Sequence, residues 1–331
     1  MEGKVCEKES RAAIVLAGGD GARLLSLTRL IAGREIPKQF CALDGNKTLL
    51  AHTLGRTALT ALPANTVTVV NRQHRPFYQS QLKEISSECL IEQAGNRGTS
   101  PAILHAAIRL ERKLGREAIV TIFPSDHYVG DNRALARHIE ISARAVQQRP
   151  ELLVILGIAP SYPEPSYGWI QPAEQIGDSL DEAILRVRRF WEKPRAAHAE
   201  ELWLGGCFWN SFVFTVKIGV LLDLIKGYLP ELHSSFSRVA DTADPSKEEI
   251  AATRAYSQIR ASSFSDDVLV KAGRRLALRP ANDLDWSDLG EPRRVYRALE
   301  SAGQNPPWLN RFRELGSRLE AGARAAALRA I

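Results

Sequence analysis

Short apolar, β-branched runs alternate along the first half of the chain with longer stretches of helical periodicity. Ala12–Ala17 reads as a buried strand and Leu49–Leu62 as the amphipathic helix after it. The alternation then repeats. Val67–Val70 is a strand, Ala102–Leu114 a helix leading to the strand Ala118–Phe123, and Ala134–Gln148 a helix leading to the strand Leu152–Gly157. This order predicts an α/β fold whose central sheet is mostly parallel and covered by helices. Beyond about residue 160 the pattern loosens into loops with aromatic content, two more apolar runs, Ala183–Phe190 and Phe208–Val216, and several helical stretches. The segment from Asn310 to Ile331, rich in Ala, Arg, Leu and Glu, reads as a helix. No internal repeat or low-complexity linker marks a domain boundary.

Open sheets of this kind bind ligands beyond the carboxyl ends of their strands. Those positions read Gly18, Asn71 and Pro124-Ser125-Asp126. Composition narrows the partners. With 331 residues, 44% hydrophobic and 25% charged, the chain can bury a large core. The net charge of +6 is mild and spread along the chain, which favours anionic metabolites over nucleic acid. Cys6, Cys41, Cys89 and Cys207 lie far apart without a C-x-x-C pair, which argues against a zinc site or a disulfide framework and for reduced cytosolic thiols. The charged start MEGKVCEKESR, followed by only a short apolar run, fits neither a signal peptide nor a membrane span. The cytoplasm is the expected location.

The first strand ends in Gly18-Gly19-Asp20-Gly21-Ala22-Arg23-Leu24, where missing Cβ atoms let backbone N–H groups approach phosphate oxygens and Arg23 supplies a forked charge. A tight turn explains the same glycines. Leu24 stands where G-x-G-x-x-G needs its last glycine, which counts against a nicotinamide-dependent oxidoreductase. In Pro37-Lys38-Gln39-Phe40, a lysine fixed by the preceding proline can return its ammonium to the same anion.

These residues resemble the sugar-1-phosphate nucleotidylyltransferases, and most closely the mannose-1-phosphate guanylyltransferases. The opening run is similar to that family's G-G-x-G-[ST]-R-L-x-x-L-[ST]-R followed by P-K-Q-F. The likeness continues through Asn96-Arg97-Gly98-Thr99-Ser100-Pro101-Ala102, Phe123-Pro124-Ser125-Asp126-His127, Tyr167-Gly168-Trp169-Ile170, Glu192-Lys193-Pro194, Trp209-Asn210-Ser211 and Trp286-Ser287-Asp288-Leu289-Gly290. Seven ordered matches span about residues 12 to 290. The resemblance implies a Rossmann-like three-layer nucleotidyltransferase fold over residues 1–300, with the sugar-binding half from about 160, a helical tail over 301–331, and no added isomerase domain. It implies transfer of a nucleotidyl group from a nucleoside triphosphate to a hexose 1-phosphate, with Mg²⁺ as cofactor, and leaves room for a homodimer.

Roles follow from the same resemblance. Gly18, Gly19, Gly21, Asn96, Arg97 and Thr99 are expected at the nucleotide, and Tyr167, Gly168, Glu192, Lys193 and Asn210 at the sugar phosphate. Arg23, Lys38 and Lys193 are expected to neutralise phosphate charge, and Asp126 and Asp288 to bind the metal. Each residue also has a plainer reading. Asp126 suits a helix N-cap, Asp288 a capped turn before the helix starting near Glu291, and Trp209-Asn210 a core tryptophan with a capping asparagine. Gly168, with Tyr167 and Trp169 as walls, admits a sugar or makes a hairpin turn. Pro194 predicts extended backbone at Lys193 and a side chain aimed into the cleft. His127 is expected to orient the metal site.

Some positions depart from the family pattern. The stretch between Arg23 and Pro37 is about four residues longer than usual, which predicts a mobile lid or a displaced Lys38. Asp20 and Ala22 replace small hydroxyl residues, Pro165-Ser166 replaces Thr-Gly, and Phe212 replaces a glycine. The altered loop keeps a catalytically silent nucleotide-sugar-binding subunit open as an alternative.

Overall fold

The computed structural model describes residues 10–177, 182–242 and 244–310. Its strands, in chain order, are β1 (Arg11–Ala17), β2 (Thr66–Asn71), β3 (Leu90–Gln93), β4 (Ile119–Pro124), β5 (Tyr128–Val129) and β6 (Leu153–Ile158). They continue with β7 (Gly168–Ile176), β8 (Ile184–Glu192), β9 (Phe208–Lys217), β10 (Leu276–Ala281) and β11 (Trp286–Ser287). Strands β2, β4 and β6 are buried at every position, as expected of strands covered on both faces.

Nine strands form one sheet in the order β3-β2-β1-β4-β9-β6-β10-β8-β7. Strands β3, β2, β1, β4, β6, β10 and β7 point one way, and only β9 and β8 run against them. The mostly parallel sheet expected from the sequence is therefore present, with β9 inserted antiparallel between β4 and β6. A second sheet of two strands pairs β5 with β11.

Helices Thr99–Leu114 and Ile218–Tyr228 cover one face of the large sheet, packing Ile103, Ala106, Leu221 and Ile225 onto Ile14, Val69 and Val120. Helices Leu49–Thr57, Asn132–Gln148 and Ala196–Leu204 cover the other, with Leu50, Leu135 and Leu202 against Val15, Val70 and Phe123. The helix expected over Leu49–Leu62 starts where its apolar pattern does, capped by Thr48, and stops at Thr57. The helix expected from Ala134 starts at Asn132, because Asp131 caps it by accepting from the N–H groups of Arg133 and Ala134. The N-cap is thus Asp131, and Asp126 is no cap.

Helix Pro292–Ser301 and the residues after it fold back onto the loop following β1, where Trp308 and Leu309 bury against Leu24, Leu27 and Leu43. The packed unit therefore runs past residue 300. The helix expected over the tail lies, from residue 311 on, outside the described residues.

One buried ion cluster fastens helix Pro245–Gln258 to helix Thr99–Leu114. Glu248 accepts from Arg109 Nε at 2.9 Å, pairs with Arg112, and lies 3.0 Å from His105 Nε2. Burial pushes its carboxyl upward, but the His105 bond and the two guanidinium groups outweigh that and hold it at about 2, against an ordinary 4.5. A carboxyl lowered by folding contributes stability that is complete above its unfolded pKa and is lost as pH falls through the folded one. The urea midpoint of the protein should therefore drop between pH 4.5 and about 2. Glu248→Gln should lose roughly 3 kcal/mol at pH 7 and part of that acid dependence; equal acid slopes in the two proteins would show that Glu248 does not contribute it.

Candidate active site

Strand β1 delivers Gly18 and Gly19 to the mouth of a cleft of about 420 Å³ at the carboxyl ends of β1, β3 and β4. A Cβ on Gly19 would meet nothing within 4 Å, and one on Gly18 only the Gln93 side chain at 3.6 Å. Protein packing does not require glycine at either place. The bare backbone they leave faces the cleft, as phosphate approach needs. Gly21 differs. It has φ 61, and a Cβ there would lie 2.9 Å from the Lys38 nitrogen, so it makes the turn rather than the cleft wall.

The loop is clamped from below. Gln39 Nε2 donates to the carbonyls of Ala17 at 3.1 Å and Gly19 at 2.6 Å. The long stretch before Pro37 is not an open lid: it folds as helix Leu25–Ala32, stops at left-handed Gly33, and is closed by an Arg29–Glu35 pair at 2.7 Å. Asp20 turns its carboxylate to Asn96 Nδ2 at 3.0 Å and His74 Nε2 at 3.4 Å.

Asp126 follows β4 and Asp288 follows β11, and both line the cleft. Asp126 Oδ2 is 3.1 Å from Lys38 Nζ, and Lys38 also donates to the carbonyls of Asp288 and Leu289. The Lys38 ammonium is therefore spent on the protein, not returned to the glycine loop as the sequence suggested. Asp288 Oδ1 accepts from Tyr167 Oη at 2.8 Å, Arg294 Nη1 at 2.7 Å and the Gly290 N–H at 2.8 Å. Asp126 Oδ1 and Asp288 Oδ2 accept no hydrogen bond among the described residues; the first lies 3.7 Å from the ring nitrogen His127 Nε2 and the second 3.8 Å from Arg23 Nη2. Burial raises both carboxyls, but neighbouring cations prevail and both sit below the ordinary range: Lys38 and His127 for Asp126, His127 and Arg294 for Asp288. His127 goes the other way. Burial lowers it despite Asp126, so its ring, edge-on to Trp286 at 5.2 Å, is neutral near pH 7.

Gly168, Glu192 and Asn210 meet elsewhere in the lining of the same cleft. A Cβ on Gly168 would lie 2.8 Å from Glu192 Oε2 and 3.1 Å from Asn210 Cβ, so the glycine makes room for the carboxyl rather than a hairpin turn. Glu192 Oε2 is buried and, among the described residues, has no hydrogen-bond partner, and burial raises its pKa against the pull of Lys193. Lys193 has φ 46, not the extended backbone that Pro194 predicted, because its N–H donates to the Tyr167 carbonyl at 3.2 Å. Its ammonium stays largely exposed, 3.1 Å from Glu192 Oε1.

Gly18, Gly19, Arg23, Asn96, Thr99, Asp126, Tyr167, Gly168, Glu192, Lys193, Asn210 and Asp288 thus share one cleft, whereas Gly21, Lys38 and Arg97 do not line it. Arg97 instead donates to the Tyr256 carbonyl at 3.1 Å. Trp169 is no wall: it is fully buried and donates to the Glu164 carbonyl at 2.8 Å. Trp209 is likewise a core residue, and Asn210 caps the turn that follows it. Sequence reasoning missed Gln93, Ser265 and Arg294. Gln93 ends an edge strand with no apolar run to announce it. Arg294 is buried, bridges Asp288 and Glu164 Oε2 at 2.7 Å each, and lies 4.6 Å over the Tyr167 ring. A helical surface pattern gives no sign of that. A second cavity of about 530 Å³ shares His127 with this cleft and is lined by none of the other residues given a role from sequence.

The family model of the nucleotidyl transferases matches residues 12–305. The alginate biosynthesis protein AlgA of Pseudomonas aeruginosa is 29% identical over 280 residues, which is 84% of this chain and 56% of that protein. The mannose-1-phosphate guanylyltransferase of Escherichia coli K12 is 30% identical over 285 residues, 84% of this chain and 57% of that protein. The chain thus spans a little over half the length of these curated relatives. A crystal structure of a Thermus thermophilus protein, described as a mannose-1-phosphate geranyltransferase, superposes with a TM-score of 0.74 at 30% identity, over 90% of this chain and 80% of that one.

Removing the Arg294 guanidinium leaves two buried carboxylates without their shared cation. Arg294→Gln should lower unfolding stability by about 3 kcal/mol, read from urea denaturation; a midpoint equal to the parent's would mean that the pairs contribute nothing.

Proposed function

The chain belongs to the nucleotidyl transferase family, and from that premise we propose that it transfers a nucleotidyl group from a nucleoside triphosphate to a hexose 1-phosphate. Mannose 1-phosphate and GTP are the preferred pair, giving GDP-mannose and pyrophosphate. One observation carries the reading: bare glycine backbone, the polar groups of Glu192, Lys193 and Asn210, and two carboxylates with open oxygens all line one cleft. The choice of mannose and guanine rests on the likeness to proteins bearing those names.

The donor set fits Mg²⁺. Among the described residues no third His, Cys, Asp or Glu joins Asp126 and Asp288, so a cation held by these two hard oxygen donors completes its shell from water and phosphate, as Mg²⁺ does in nucleotide sites. Bound there, Mg²⁺ would neutralise charge gathering on the α-phosphate and the departing pyrophosphate. The residues supply alignment. A phosphate oxygen of the sugar 1-phosphate attacks the α-phosphorus, the bond from that phosphorus to the β-phosphate's bridging oxygen breaks, and pyrophosphate leaves with the electron pair. The nucleophile is already an anion. No residue need remove a proton, so the reaction asks no acid or base role of His127 next to Asp126. Arg23 and Lys193, whose side chains are 62% and 64% exposed, can reach incoming phosphates, while Lys38 keeps Asp126 in place. The lengthened stretch leaves this machinery intact, which favours an enzyme over a silent subunit.

Small-molecule substrates suit the cleft better than nucleic acid, and cytoplasmic residence suits Cys41, Cys89 and Cys207, which are unpaired and buried. Among the described residues no helix is long and apolar enough to cross a membrane.

A pyrophosphate-release assay over four nucleoside triphosphates and several hexose 1-phosphates should find GTP with mannose 1-phosphate fastest; another best pair refutes the specific name. Asp126→Asn should lower turnover roughly a thousandfold in a protein that still folds, with a lower thermal midpoint because the buried Lys38 loses its paired charge, whereas near-parent activity in that variant would remove the metal assignment.

A further inference from the structure

Strand β9 bulges beside the cleft. Between Ile155 and Gly157 of β6 its pairing jumps from Phe214 to Asn210, so Ser211, Phe212 and Val213 oppose Leu156 alone. Bulges next to active sites re-aim a side chain. The turn is held by Asn210 Oδ1, which accepts from the Phe212 N–H at 2.8 Å, and by Ser211 Oγ, which donates to the Leu156 carbonyl at 2.6 Å. It leaves Phe212 at φ 57, where glycine sits freely and a bulky residue is a rare outlier. Phe212 lines the cleft together with Gly168, Glu192 and Asn210. Its ring is backed by others. It stands edge-on to Phe214 at 5.8 Å, and Phe214 is fully buried and stacked at 5.1 Å on Phe264, also fully buried.

We infer that Phe212 is a specificity-determining residue, a fixed apolar wall that admits a hexose 1-phosphate bearing only hydroxyls and turns away one with a larger ring substituent, such as an acetamido group. A strained backbone persists where surrounding contacts over-determine it, and such positions cluster at ligand clamps. Here the strain keeps an aromatic ring at a place where glycine would relieve it. The wall also offers no hydrogen-bond partner to an amide. An acetamido group pressed against it would lose its water without replacement, adding a polar penalty to the steric one. This inference rests on the reaction proposed above.

The test compares the parent protein with Phe212→Gly, which removes the strain, and Phe212→Asn, which tolerates the left-handed backbone with a smaller side chain. The readout is the ratio of kcat/KM for N-acetylmannosamine 1-phosphate to that for mannose 1-phosphate, with GTP. The ratio should rise on the order of tenfold or more in both variants, with thermal midpoints showing that both are folded. An unchanged ratio in folded variants overturns the inference. If the parent turns over no hexose 1-phosphate, the proposed reaction fails instead, and the same ratio is then read as binding from tryptophan fluorescence. Equal binding ratios in parent and variants overturn the inference there too.

Discussion

Lys38 crosses beneath the cleft and ties together three parts of the chain that are distant in sequence. Its ammonium has three donors, and it meets three oxygens: Asp126 Oδ2 at 3.1 Å and the carbonyls of Asp288 and Leu289. A buried ammonium costs several kcal/mol unless its protons are all taken up. Lys38, with 7% of its side chain exposed, meets that condition. The consequence is geometric. The neighbouring Gln39 holds the carbonyls of Ala17 and Gly19, so the glycine backbone, the end of β4 and the end of β11 are tied through one short segment and keep a fixed relation before any ligand arrives.

The second carboxylate is fixed by a separate set of donors. Arg294, Tyr167 and the Gly290 N–H all converge on Asp288 Oδ1, and Lys38 takes Oδ2 of Asp126. Each acid is thus held by one oxygen and offers the other. Two carboxylates in one cleft repel, and Asp288 works to raise the pKa of Asp126; the surrounding groups outweigh this and the burial of both, and both carboxyls sit below the ordinary range. An arrangement that holds two anions close together and leaves one oxygen on each unused is suited to a cation delivered with its own anionic ligand.

Much of this was legible in the chain, and the boundary has physical causes. Buried strands announce themselves as apolar runs, and residues just past them must lie at one edge of the sheet, which is why Gly18 and Asp126 could be placed from sequence. Partner choice over long separations leaves no local trace. Nothing around Lys38 says that its acceptor lies 250 residues away at Asp288, and nothing around Arg97 says that it turns from the cleft to the Tyr256 carbonyl. Trp169 read as a wall of the sugar site and Trp209 as either a sugar platform or core, and the β7–β9 pairing that sets them opposite each other puts both in the core. Pro194 predicted an extended Lys193 through a local steric preference, which a tertiary hydrogen bond overrode.

That override belongs to a wider pattern. Among the described residues, the non-glycine positions with positive φ are Lys193, Phe212 and Leu289, at 46°, 57° and 49°. Two line the cleft, and the third gives its carbonyl to Lys38. Each is held by its own N–H: Lys193 to the Tyr167 carbonyl at 3.2 Å, Phe212 to Asn210 Oδ1 at 2.8 Å and Leu289 to Ser287 Oγ at 3.2 Å. Strain of this kind costs on the order of 1–3 kcal/mol per residue and survives only where neighbours enforce it. The backbone at these positions is therefore held by strain and hydrogen bonding together. The side chains of Arg23 and Lys193, by contrast, are largely exposed and can still move to meet charge. A cleft with a fixed backbone and movable cationic side chains can select a reactant by shape while still adjusting to the charge it carries.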